Sequence, residues 1–147
     1  ANYTDTGGHE GKASPLSGTA SIHLHPRTIQ AESHTTNNGT QILDGSGHQF
    51  IGAINDSHWT EYHRFRLEGC RKMTLRYASA GNGATVTVTA NGKEIGKTLI
   101  TPTGDWNTWK EVSLDLTNVP SGLVNLRLTF TNPGKQHLAN LDWFRFE

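Results

Sequence analysis

From Ile29 onward, apolar residues recur at every second position in short runs separated by polar turn clusters. Met73, Leu75 and Tyr77 share one parity in KMTLRYAS, and Ala84, Val86, Val88 and Ala90 share one in ATVTVTANGKEIGKTLI. Val112, Leu114 and Leu116, then Val124, Leu126, Leu128 and Phe130, repeat the pattern. Side chains alternate across a strand, so each run predicts a strand with one buried face. Asn91-Gly92 tolerates positive φ at both positions and predicts a tight hairpin. Asn118-Val119-Pro120-Ser121-Gly122 predicts the turn between the last two of these runs. Almost no segment has a helical apolar period, and 16 glycines accompany abundant Thr and Asn. The predicted fold class is all-β, a sandwich of two antiparallel sheets over one core.

Residues 1–27 have a different texture, broken by Gly7, Gly8, Gly11, Ser14, Pro15, Ser17 and Gly18. Only TASIHLHP alternates there, with Ile22 and Leu24 on one face and His23 and His25 on the other. This stretch reads as a connector with edge strands, the tail of an upstream module, leaving 28–147 as the domain. The expectation is a mature or excised piece of a larger parent protein.

A chain of 147 residues is sized for one domain with a real core. Thirteen Lys plus Arg balance thirteen Asp plus Glu, so no long-range field draws nucleic acid or anionic lipid. No apolar run is long enough to span a bilayer as a helix. Cys70 is alone and gives no intramolecular disulfide and no redox address.

Candidate chemistry is sparse. Glu32, Asp44, Asp56, Glu61, Asp105, Glu111, Asp115 and Asp142 could supply the carboxylate pair of a glycosidase, but sequence places no two of them together. There is no nucleophile elbow and no phosphate-cradling loop. His23 and His25, or His58 and His63, lack zinc-site spacing. Gln30, Glu32 and Asp142 are oxygen donors suited to a hard cation such as Ca²⁺; the alternative is ordinary exposed polar residues on an edge strand. Trp106, in PTGDWNTW, falls at a loop tip, where a large ring has little reason to sit unless used. Aromatic rings pack on the C–H faces of sugars and Asn serves their hydroxyls. Trp109 and Trp143 lie in strand-like patterns and are expected in the core, while Trp59 fits either role.

The segments TIQAESH, FIGAINDSHWTEY, TGDWNTW and LANLDWFRFE, in that order between Thr28 and Glu147, carry a resemblance to the family 6 carbohydrate-binding modules. The related family 35 modules share the architecture. The resemblance implies a β-sandwich jelly roll with a cleft among loops at one end, where Trp106 is the loop tryptophan and Asn140 the asparagine beneath the sugar. The family's facing tyrosine is missing, since its segment reads Gly52-Ala53-Ile54. His48, Phe50 or His137 would then supply the second wall, or one platform would accept a bulkier or branched sugar. Leu43 stands near the place of a family glutamate. A second site on the concave sheet face would map onto Trp59, with His58 in place of an aspartate. A structural Ca²⁺ would be held by Gln30, Glu32 and Asp142, tying the first strand to the last.

The function implied is non-catalytic: a monomeric, extracellular module that targets a covalently linked secreted enzyme to a polysaccharide, whether β-glucan, xylan or agar-type galactan. Neither nucleic acid nor membrane is an expected partner. The competing class is a structural or protein-interaction sandwich with a degenerate sugar site, and a third is a small glycan-active enzyme.

Overall fold

The computed structural model describes residues 28–45 and 47–147, together with the backbone of 2–4 and 17–19. The short strands β1 (Asn2–Thr4) and β2 (Ser17–Thr19) pair antiparallel with each other. Of TASIHLHP, only Thr19 is described; Ile22, His23, Leu24 and His25 lie outside the described residues.

The domain proper contains β3 (Thr28–Gln30), a 3-10 turn at Ala31–Ser33, β4 (Thr36–Asn38), β5 (Gln41–Gly45), β6 (His48–Gly52) and β7 (Trp59–Arg66). There follow β8 (Lys72–Ala78), β9 (Ala84–Ala90), β10 (Lys93–Ile100), β11 (Lys110–Asp115), β12 (Leu123–Thr131) and β13 (Asn140–Phe146). One sheet runs β10-β9-β12-β7-β4, and the other runs β11-β8-β13-β6-β5 with β3 added against β13. All pairings are antiparallel. The all-β expectation of two antiparallel sheets is met.

Parity explains the core. Met73, Leu75 and Tyr77 of β8 face Val86 and Val88 of β9 and Leu126, Leu128 and Phe130 of β12 within one buried cluster. Each large apolar side chain removed from water contributes about 1.5–3 kcal/mol. Tyr62 also lies inside, edge-on to Phe144 at 4.8 Å, and its hydroxyl donates to the Ala31 carbonyl at 2.8 Å. That bond satisfies a polar group that would otherwise be costly to bury, and burial pushes the phenol far above its usual pKa. The hairpin turns as expected, with φ 51° at Asn91 and 81° at Gly92.

Two tryptophans depart from expectation. Trp109 and Trp143 are half-buried on the outward side of the β13 sheet instead of in the core. In β13 the inward positions belong to Phe144 and Phe146, and Trp143 alternates with them. Arginines accompany both rings: Arg145 lies 5.2 Å from the Trp143 centroid and Arg76 lies 5.3 Å from that of Trp109, a favourable cation–π placement.

Candidate functional site

A cleft of about 610 Å³ opens where β13 begins. Its walls include Trp106, Asn140, His137, Phe50, Leu43 and Asp44. Trp106 comes from the loop joining β10 to β11, and that loop is shaped by Asp105. One oxygen of Asp105 accepts from the backbone N–H groups of Asn107 at 2.7 Å and Thr108 at 2.6 Å, and the other accepts from the Thr108 hydroxyl at 2.7 Å. This is the local side-chain turn that aspartate favours. The Thr108 hydroxyl and the backbone donors together hold the Asp105 carboxyl below its usual pKa. Thr103 ties the loop to β8, its N–H donating to the Ser79 carbonyl at 2.7 Å and its Oγ1 accepting from the Ser79 N–H at 2.9 Å.

Close approach completes the wall. A Cβ at position 81 would collide with the His137 carbonyl oxygen and stand 3.2 Å from Trp106 Cη2, so only glycine lets these two segments meet. Asn140 is 7% exposed, and its Nδ2 donates to the Trp106 carbonyl at 3.2 Å. Its Oδ1 accepts no hydrogen bond from another described residue, and the amide therefore retains capacity for a ligand hydroxyl. Ala53, of the Gly52-Ala53-Ile54 segment, also lines the cleft, with φ 52°. Phe50 is only 5% exposed, leaving the Trp106 indole and the exposed His137 imidazole as the accessible rings among the described cleft residues.

Among the expected site residues, the structure brings Trp106, Asn140 and His137 together. His137 adopts φ 52°, and its backbone N–H donates to Asn55 Oδ1 at 2.9 Å. His48 is not part of the cleft wall. It sits two residues before Phe50 on β6, with its ring 5.4 Å from Trp109 and 5.8 Å from Phe50 and its Nε2 3.4 Å from Asp142. The rise along a strand explains the displacement, since two residues amount to about 6.6 Å.

Trp59 lies on the outward side of the other sheet. Arg127 covers one face of its ring, with Cζ 3.9 Å from the centroid. Arg127 is fixed in turn by Glu61, whose Oε2 accepts from Arg127 Nε at 2.9 Å and pairs with Nη2 at 2.8 Å. His63 Nε2 meets the other Glu61 oxygen at 2.8 Å. Burial pushes the Glu61 carboxyl up, but the bonds from His63 and Arg127 outweigh it and hold the pKa below its usual value. One face of the presumed platform is thus occupied by the protein's own guanidinium.

The metal candidates are split. Gln30 is the cross-strand partner of Trp143, so first and last strands of the domain do meet. Glu32 Oε2 is buried with no hydrogen-bond partner, an orphaned oxygen that a cation would satisfy. Asp142 is 3% exposed, but its carboxylate is engaged by Arg76 and faces His48. Among the described residues no three His, Cys, Asp or Glu side chains gather as a metal site. Glu32 has an oxygen free for a cation, whereas Asp142 would have to exchange Arg76 for one.

A second cavity, of about 830 Å³, lies at the far end of β13, against Phe65, Cys70 and Phe146. Its charges are mutually paired, Arg66 with Glu68 and Arg145 with Glu147, and it offers no counterpart to the Trp106–Asn140 arrangement. Burial pushes the Cys70 thiol above its usual pKa, which keeps it in the unreactive form.

The family model for carbohydrate binding module family 6 matches residues 30–147. Endo-1,4-beta-xylanase A of Thermoclostridium stercorarium is 29% identical over 152 residues, covering 98% of this chain and 22% of the xylanase; the chain thus spans about a fifth of that relative's length. A family 6 module from Clostridium cellulolyticum, solved in complex with xylose, superposes with a TM-score of 0.77 at 27% identity, covering 82% of this chain and 95% of the other. A β-1,3-glucan binding family 6 module from Bacillus halodurans superposes at 0.75 with 29% identity, covering 82% and 94%. With the loop tryptophan and the strand-end asparagine meeting in one cleft of a two-sheet sandwich, the chain belongs to the family 6 carbohydrate-binding modules.

Proposed function

We propose that this domain binds a polysaccharide through the Trp106–Asn140 cleft, without turning it over, and holds a covalently linked secreted enzyme at its substrate outside the cell. The observation that carries this reading is the half-exposed Trp106 ring set beside the under-used amide of Asn140 in a cleft of ligand size. A sugar's C–H face stacks on the indole while its hydroxyls exchange hydrogen bonds with the amide. Among the described residues Asp44 is the only carboxylate of the cleft wall, whereas glycoside hydrolysis by the usual route needs two. Xylan and β-1,3-glucan are the first polymers to test, given what the two structural relatives bind, followed by agar-type galactan. A single site of this kind binds modestly, and its benefit to a tethered enzyme is effective concentration.

The concave-face reading at Trp59 is weaker because Arg127 already stacks on that ring. We further propose a structural Ca²⁺ held by Glu32 with Gln30 and Asp142, supplying cross-linking of the strand ends and no chemistry at the cleft. Affinity electrophoresis through a panel of soluble xylans, β-glucans, mannans and agar-type galactans, with Trp106→Ala alongside, tests the main reading. Retardation by one polymer that disappears in the variant supports it. Retardation that persists moves the site away from this cleft, and none with any polymer leaves the structural-sandwich class standing.

A further inference from the structure

The electrostatics of the cleft carry an inference about which sugars it takes. Asp44 is exposed on its wall, and among the described residues no Lys or Arg lines the cleft with it. His137 is the only other titratable side chain there among the described residues. Elsewhere in the described residues carboxylates are commonly compensated: Glu61 by Arg127, Asp142 by Arg76, Glu111 by Arg145, Glu94 by Lys97. Asp56 and Asp105 accept backbone N–H groups instead. Asp44 has no ion pair and no side-chain hydrogen bond among the described residues.

A saccharide lying between Trp106 and Asn140 has substituents near Asp44, which lines the same cleft of about 610 Å³, a space comparable in width to the Debye length of roughly 8 Å at physiological ionic strength. A neutral hydroxyl meets a hydrogen-bond acceptor there. A uronate or sulfate meets a like charge with no cation to share it, and like-charge juxtaposition is how interfaces turn away wrong partners. We propose that Asp44 is a specificity-determining residue that makes the cleft select uncharged saccharides and reject acidic ones. This rests on the cleft being the sugar site.

The test pairs each neutral polymer with an acidic counterpart: arabinoxylan with glucuronoxylan, laminarin with carboxymethylated laminarin, hydroxyethyl cellulose with carboxymethyl cellulose. Affinity electrophoresis at pH 7.5 compares wild type, Asp44→Asn and Asp44→Lys, with melting temperatures as the folding control. For the pair whose neutral member binds, wild type should bind the acidic member about five- to tenfold more weakly at low salt, and the gap should narrow at high salt. Asp44→Asn should bring the two within about twofold of each other, whatever its effect on the neutral polymer alone, and Asp44→Lys should favour the acidic one. Equal binding of both members by wild type overturns the proposal, as does discrimination that survives Asp44→Asn unchanged, which would assign it to bulk instead of charge. If wild type is retarded by no neutral polymer of these pairs but by a mannan or agar-type galactan, that polymer is compared with its carboxymethylated form in the same way; if no neutral polymer of the whole panel retards it, the cleft is not a sugar site and both readings fall together.

Discussion

Asp105 and Trp106 stand side by side but contribute differently, one shaping the loop and the other presenting a surface. Trp106→Ala should weaken polysaccharide binding by about 30- to 100-fold, the equivalent of about 2–3 kcal/mol of lost stacking and apolar contact. Its thermal midpoint should hardly move, because the ring is half-exposed; titration calorimetry beside a melting curve separates the two effects. Asp105 has a depressed folded pKa, so its contribution is present above the ordinary carboxylate range and is lost as pH falls through the folded value. Binding should therefore decline in acid more steeply for wild type than for Asp105→Asn, which lacks the titrating group, and equal pH profiles would contradict this. Trp106 was legible in the sequence because a bulky ring in a Gly-Asp-Trp-Asn turn has no core to join. Gly81 was not: its necessity comes from the His137 carbonyl and the Trp106 ring edge, which are remote in sequence. Trp143 misled because a strand-like pattern does not say which parity faces in, and the register shift between Leu141 and Trp143 is invisible to a period-two reading.

At the scale of elements, alternation located β8, β9, β11 and β12, while the pairing order had to come from the structure. Nothing in the local pattern says that β13 lies between β8 and β6. The β9–β10 hairpin depends on positive φ at Asn91 and Gly92, and Gly92→Ala should cost about 1–2 kcal/mol, read as a lower urea midpoint with an unchanged slope. On the outward side of β7 and β12, His63, Glu61, Arg127 and Trp59 form a continuous chain of contacts. The folded pKa of Glu61 is depressed, so the stability it supplies is present above the unfolded value and lost as pH falls through the folded one. Glu61→Gln should accordingly be less stable than wild type at pH 6, and urea denaturation should show the two converging as pH falls through the folded pKa of Glu61. Arg127→Ala should uncover the Trp59 ring; if that variant gains a second polysaccharide site, the guanidinium is what closes this face.

For the molecule as a whole, the seam between β3 and β13 is where a bound cation would matter. Addition of a chelator should lower the thermal midpoint, excess Ca²⁺ should restore it, and Glu32→Gln should be insensitive to both; a midpoint unmoved in wild type would remove the ion from the account. The same seam fixes the polarity of the domain. Asn140 opens β13 at the cleft, and Arg145 pairs with Thr28 near its other end, about 16 Å away at the usual rise per residue. A cargo fused or a surface coupled through Thr28 or Glu147 would face away from the cleft, so immobilised copies would all present their binding ends outward, ready to serve as an oriented capture layer.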